Sequence, residues 1–186
     1  GTPVTINDYL LEWASQNPEF IAPGFASGEN PDAEAVFDHV STSFAQYMPE
    51  GPEGELGSKE FTVVYTNPNP DYKIIIGTAM PEHVVAAQSG LEPGGLAQAI
   101  LDRDADVVKS AAEFWNTGWI FNPGELPEAE LVPSSGPYVL KADGWQAGNS
   151  LTLTANENYW GTPPATKDLV FRFIDDAQQV QALGNK

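Results

Sequence analysis

Cysteine is absent from the 186 residues. That excludes disulfides, thiolate catalysis and cysteine-based zinc sites. Positive charge is scarce: 8 Lys plus Arg stand against 26 Asp plus Glu, for a formal charge of −18. Nucleic-acid phosphates demand a cationic surface, so nucleic acid is excluded as a partner. Docking on anionic lipid through a basic face is excluded on the same ground. No apolar run approaches the ~20 residues that a spanning helix needs. The two histidines, His39 and His83, have no partner at metal-ligand spacing. No Gly-x-Ser-x-Gly elbow and no phosphate loop occurs.

What is present is an uneven α/β pattern. "GTPVTINDYLLEW" opens in a turn without an initiating Met, and Thr5 with Asp8 three residues on forms a capping-box signature. Ile6, Tyr9, Leu10 and Trp13 then share one helical face. A chain that enters an amphipathic helix this abruptly is expected to continue upstream. The stretch from Asn17 to Lys59 is rich in Pro, Gly and acids, with one helical segment expected near Ala33 to Tyr47. "EFTVVYTNPNP" reads as a strand closed by two prolines, and a helix is expected to start near Pro81 and end at Gly90. "GGLAQAILDRDADVVKSAAEFWNTGW" reads as one helix, or as two separated by the aspartates.

In "PSSGPYVLKADGWQAGNSLTLTANENYWG", Gly136 and Pro137 place a strand entry sharply. "YVLKA" and "SLTLTA" then form a β-hairpin over 137–155 that turns between Asp143 and Asn149, and "DLVFRF" returns as a third strand over 168–174. "FIDDAQQVQALGNK" starts a helix capped by Asp175 or Asp176. The strands are not regularly alternated with helices, so they come together from distant parts of the chain.

Three constellations bear on chemistry. Asp102, Asp104, Asp106, Ser110 and Glu113 fall at EF-hand positions, but Val107 occupies the sixth, where the loop needs Gly. The aspartates are therefore expected to start a helix. Acid pairs such as Asp175 with Asp176 are too common in an acidic chain to indicate a glycosidase. Aromatic residues carry more: "FWNTGWIFNPG" sets Asn116 and Trp119 among aromatics that line either a pocket or a core beneath a loop. "NPEFIAPGF" places Phe20 and Phe25 in a Pro/Gly loop, where an exposed contact is expected.

"DYLLEW" after "GTPVT", then "FTVVYTNPNPDYKIII", "MPEHVV", the hairpin and "DLVFRFIDDAQQVQAL" resemble, in order and spacing, the family 5 extracellular solute-binding proteins of ABC importers. The resemblance implies a partial periplasmic-binding-protein-like fold of type II, a mixed sheet with flanking helices cut from a larger bilobal protein. Residues 1–78 would belong to the small lobe and 79–186 to the large lobe, with the crossing near Thr78 to Pro81. It further implies noncovalent capture of an extracellular peptide, delivery to ABC permease subunits, no catalysis, no metal or other cofactor, and an extracytoplasmic location, periplasmic or lipid-anchored. Phe20, Phe25, Asn116 and Trp119 are the expected ligand contacts. Alternatives remain open: a nickel chelate, opine or oligosaccharide in place of peptide, or a carbohydrate-binding or glycosidase module. A piece of such a fold leaves sheet edges bare, so self-association of the isolated chain is expected.

Overall fold

A computed structural model describes residues 1–17, 36–38, 41–77 and 79–184. By packing, the chain divides into two compact units, Gly1–Trp119 and Ile120–Lys186. Division by packing is a separate matter from lobe membership in a longer protein.

The first unit is helical. Its helices are α1 (Ile6–Gln16), α2 (Ser43–Tyr47), α3 (Tyr72–Ile75), α4 (Glu82–Gln88), α5 (Gly95–Asp102) and α6 (Ala105–Thr117). The capping box forms as expected: the Asp8 carboxylate accepts the Thr5 N–H at 2.7 Å, and the Thr5 hydroxyl accepts the Asn7 N–H at 3.3 Å. Ile6, Leu10, Leu11, Trp13 and Ala14 of α1 are buried. Leu11, Trp13 and Ala14 join Phe44, Met48, Val85, Leu96, Ile100, Val108 and Ala111 in the main core, and Ile6 and Leu10 pack with Ala97 in a second cluster.

The polar groups of α1 tie down its neighbours. Gln16 donates to Glu12 at 2.7 Å and accepts the Phe44 N–H at 3.0 Å. α2 lacks a side-chain cap of its own, so this amide supplies one from another helix. Trp13 Nε1 donates to the Met48 carbonyl at 3.0 Å, where α2 ends. The indole also lies over Gly51, whose φ is +73° and whose added Cβ would come within 2.8 Å of Trp13 Cδ2. Gly51→Ala is therefore expected to cost about 2–4 kcal/mol in urea denaturation, combining left-handed strain with overpacking. Gly57 has a similar φ of +79° but open space around it, so Gly57→Ala should lose only the backbone part, about 1–2 kcal/mol. Equal losses in the two variants would show that the indole contact contributes nothing.

Two expectations need correction here. Residues 60–70 do not form a strand: the sole pairing among the described residues is a bridge between Glu53 and Thr62, with N–H to O distances of 2.8 and 2.9 Å. The alternation itself is real, since Phe61, Val63 and Tyr65 are half-buried while Thr62, Val64 and Thr66 are exposed. Among the described residues no second strand pairs with it, and beyond the two prolines "YKII" forms α3. The helix expected over 33–47 is limited, within the described residues, to Ser43–Tyr47, with Val36 and Phe37 in a bend. Elsewhere the punctuation was legible. α4 starts after Pro81, and Gly90 at φ +73° follows its last turn.

The second unit holds a three-stranded antiparallel sheet in the order β1–β2–β3, with β1 at Tyr138–Gln146, β2 at Ser150–Ala155 and β3 at Asp168–Arg172, followed by α7 (Asp176–Gly184). The hairpin turn is tighter than expected. Leu140 pairs with Leu153 and Trp145 with Leu151, so Lys141 to Gly144 bulge opposite Thr152 alone. Asp143 within the bulge has φ +58°. The Asp-Gly pair that reads as the start of a turn is thus a bulge inside β1, and the strand resumes beyond it.

Candidate functional site

The aromatic segment at the end of α6 is built around Asn116. Its Oδ1 accepts the Asp38 N–H at 2.8 Å and its Nδ2 donates to the Val36 carbonyl at 3.0 Å. One side-chain amide thus pairs like a strand with a backbone some eighty residues earlier. Trp115 meets Phe37 edge-on at 5.4 Å, and its indole N–H is buried without a partner among the described residues. Trp119 stands edge-on to Phe114 at 5.1 Å and is half-buried against the helical core. The structure therefore brings Asn116 and Trp119 to one helix end and fastens the first of them to residues 36–38. Phe20, Phe25 and His39 lie outside the described residues.

The aspartate run is a helix start, as expected. α5 ends at Arg103 in the left-handed region, φ +54°, and Asp104 Oδ1 accepts the Val107 N–H at 3.2 Å to cap α6. Among the described residues no group of three or more His, Asp or Glu is arranged to hold a metal. Asp104→Ala is expected to cost about 1 kcal/mol as a lost N-cap, and calcium should leave the melting temperature of the wild type unchanged beyond an ionic-strength effect. A calcium-specific rise that Asp104→Asn abolishes would restore the loop reading.

Two cavities adjoin these elements. One of about 230 Å³ lies between the end of α4 and the start of α6, lined by Ser89, Leu91, Asp106, Val107 and Ser110. The other, in the second unit, has about 410 Å³ and is lined by Leu126, Pro127, Val132 and Pro133 on one side and by Val139 to Ala142 on the other. Val139 and Leu140 precede the bulge and Lys141 and Ala142 lie in it, so the cavity runs along β1 across the point where its regular alternation stops. This groove follows β1, and its volume falls within the range of small-molecule sites. The sequence marked the strand but gave no sign that residues 126–133 would lie along it.

The deepest polar feature is a pair of buried carboxylates, Asp8 at 5 % and Glu82 at 2 % exposure. Asp8 Oδ1 accepts the Glu82 N–H at 2.9 Å, and Glu82 Oε1 accepts the Ala97 N–H at 3.1 Å. The Gly94 backbone also donates to Glu82. The two acids therefore join the N-termini of α1, α4 and α5 in sequence, each satisfying donors that a helix start leaves unpaired. Burial pushes the Glu82 carboxyl above its ordinary value of 4.5; the backbone donors oppose this, and the Asp8 charge adds to it. Every oxygen described in the pair faces backbone N–H groups, which makes it a structural device.

No helix among the described residues is long and apolar enough to cross a membrane. In fold the chain is similar to the periplasmic EDTA-binding protein EppA, with a TM-score of 0.59 at 21% identity over 98% of this chain and 27% of that one. In sequence it is 30% identical over 173 residues to an uncharacterized lipoprotein of Mycobacterium leprae, and 31% identical over 176 residues to one of Mycobacterium tuberculosis strain H37Rv. These alignments cover 92% and 90% of this chain but 28% of either relative, so the chain spans a little over a quarter of the proteins it matches. The model for the middle part of the bacterial extracellular solute-binding proteins, family 5, matches residues 1–186 from end to end. The chain belongs to the family 5 extracellular solute-binding proteins.

Proposed function

We propose that this chain is the middle part of the substrate-binding component of an ABC importer, which captures an extracellular peptide without chemistry and passes it to a membrane permease. The observation that carries the reading is the family match over every residue of the chain. In such an importer ATP is hydrolysed by other subunits, and the binding protein itself does no catalysis. The location is extracytoplasmic; the lipoprotein names of the mycobacterial relatives favour a lipid anchor at the membrane's outer face. The small-lobe segment is assigned to 1–78 and the large-lobe segment to 79–186, with ligand contact by Phe20, Phe25, Asn116 and Trp119. For Asn116 the support is its spare capacity: an amide offers two donors and two acceptor lone pairs, and Val36 and Asp38 use one of each.

A chelate ligand is the second reading, favoured by the EDTA-binding neighbour of similar fold. Calorimetry on a protein of the relatives' full length containing this chain separates the two. Heat from a mixed peptide pool, with none from metal–EDTA, supports the peptide reading, and the reverse result replaces it. Turnover of a polysaccharide would remove both.

A further inference from the structure

Gly118 is a glycine whose backbone does not need one. A glycine at a helix end usually stands in the left-handed region, as Gly90 does at φ +73° beyond α4. Gly118 ends α6 with φ −66° and ψ −18°, right-handed values that any residue adopts. At such angles alanine is the more stable choice, because glycine adds conformational freedom to the unfolded chain. The reason for glycine lies in a neighbour. A Cβ at position 118 points back along the helix toward residue 114, and the ring of Phe114 occupies that place. The Gly118 N–H also donates to the Phe114 carbonyl at 2.6 Å, which ties the same two residues through the backbone.

The ring that fills this gap is the one that Trp119 stands against, edge-on at 5.1 Å and 66°. That separation is within the range where aromatic pairs attract. The missing side chain at 118 therefore admits the Phe114 ring, and the ring in turn braces the indole of residue 119. Trp119 is half-buried against the helical core, so its orientation decides which part of it a ligand meets. We infer, on the ligand contact proposed for Trp119, that Gly118 and Phe114 are positioning residues that fix the orientation in which Trp119 meets the ligand. All three lie in the same compact unit, within one turn and a residue of the end of α6.

Stability checks the geometry. In the 186-residue chain, Gly118→Ala should lower the melting temperature, because the ring must leave its place. In a Phe114→Ala background the same substitution should raise it, as at an ordinary helical glycine. Calorimetry with the mixed peptide pool, on a protein of the relatives' full length, reads the role. Trp119→Ala should weaken binding about fivefold or more, and Gly118→Ala about threefold. In a Trp119→Ala background, Gly118→Ala should change binding by less than about twofold, because its effect passes through the indole. A glycine with a merely structural role would lower the melting temperature and leave the affinity of the folded protein unchanged, and that result would overturn the inference. A double variant whose loss equals the product of the two single losses would overturn it too, as would a melting temperature raised in both backgrounds. A Trp119→Ala protein that binds as well as the wild type, or a wild type that gives no heat with the pool, would instead remove the proposed contact itself, and the inference with it.

Discussion

Asp8→Ala is expected to lower stability by about 3–5 kcal/mol, because two charge-assisted hydrogen bonds vanish and two N–H groups at helix starts lose their acceptor. A domain's total is about 5–15 kcal/mol, so this one substitution would remove a large part of it. The carboxylate is 5 % exposed, and its oxygens accept Thr5 N–H at 2.7 Å and Glu82 N–H at 2.9 Å. Asp8→Asn retains one oxygen acceptor and should lose less than Asp8→Ala. Chemical denaturation of the three chains checks the order. An Asp8→Ala loss below about 1 kcal/mol, the size of an ordinary cap, would mean that α1 and α4 are not joined through this side chain.

The partner acid makes the same junction sensitive to pH, with a sign opposite to that of a salt-bridged carboxylate. Glu82 holds its proton more tightly folded than unfolded, since burial raises its pKa above 4.5. The folded state therefore binds more protons in the window above pH 4.5, and stability falls as pH rises through it. The contribution is fully present below the unfolded value and is lost as pH passes the folded one. The overall charge of −18 gives a slope of the same sign by general repulsion. Glu82→Gln isolates the local part: its amide oxygen can still accept the Ala97 N–H, but it does not titrate. The difference in stability between wild type and Glu82→Gln should shift against the wild type between pH 4.5 and 7. A constant difference over that range would show that Glu82 titrates normally.

The sequence carried the local rules well and the long-range ones poorly. Thr5, Asp8, Asp104, Pro81 and Gly90 announced helix ends because capping is a matter of neighbouring residues. Phe61, Val63 and Tyr65 showed their alternation too, but strandedness needs a partner, and nothing local says that, among the described residues, 60–70 pair only through the Glu53–Thr62 bridge. The Asp143–Gly144 pair promised a turn and produced a bulge, since both need the same backbone freedom. Asn116 stood out because an amide among aromatics suits a ligand contact, and the structure adds a second role for it. Its bonds to Val36 and Asp38 are fixed by tertiary packing that no spacing reveals. The Asp8–Glu82–Ala97 relay was hidden for the same reason: its members are seventy-four and fifteen residues apart and meet only in the folded unit.

The 186-residue chain alone is expected to bind peptide no tighter than about millimolar, while a protein of the relatives' full length binds at least about a thousandfold tighter. The chain spans 28% of those relatives, so in the proposed receptor most of the ligand's surroundings come from elsewhere. Affinity in a two-lobed receptor comes from enclosure, which excludes water and brings polar groups from both sides onto one ligand. With one wall gone, the peptide backbone stays hydrated and each remaining hydrogen bond contributes only about 1 kcal/mol net. Immobilising the ligand costs several kcal/mol, at least ~4. Aromatic contact could offset about 1–3 kcal/mol per side chain if complete, but Trp119 is already packed edge-on against Phe114, with part of its surface covered by the core. Calorimetry with the same peptide pool on both proteins decides the matter. Millimolar or weaker binding by the short chain beside micromolar binding by the long one is the expected result. Micromolar binding by the short chain would place a complete site within these residues, and the groove of about 410 Å³ along β1 would then be the first place to look for it.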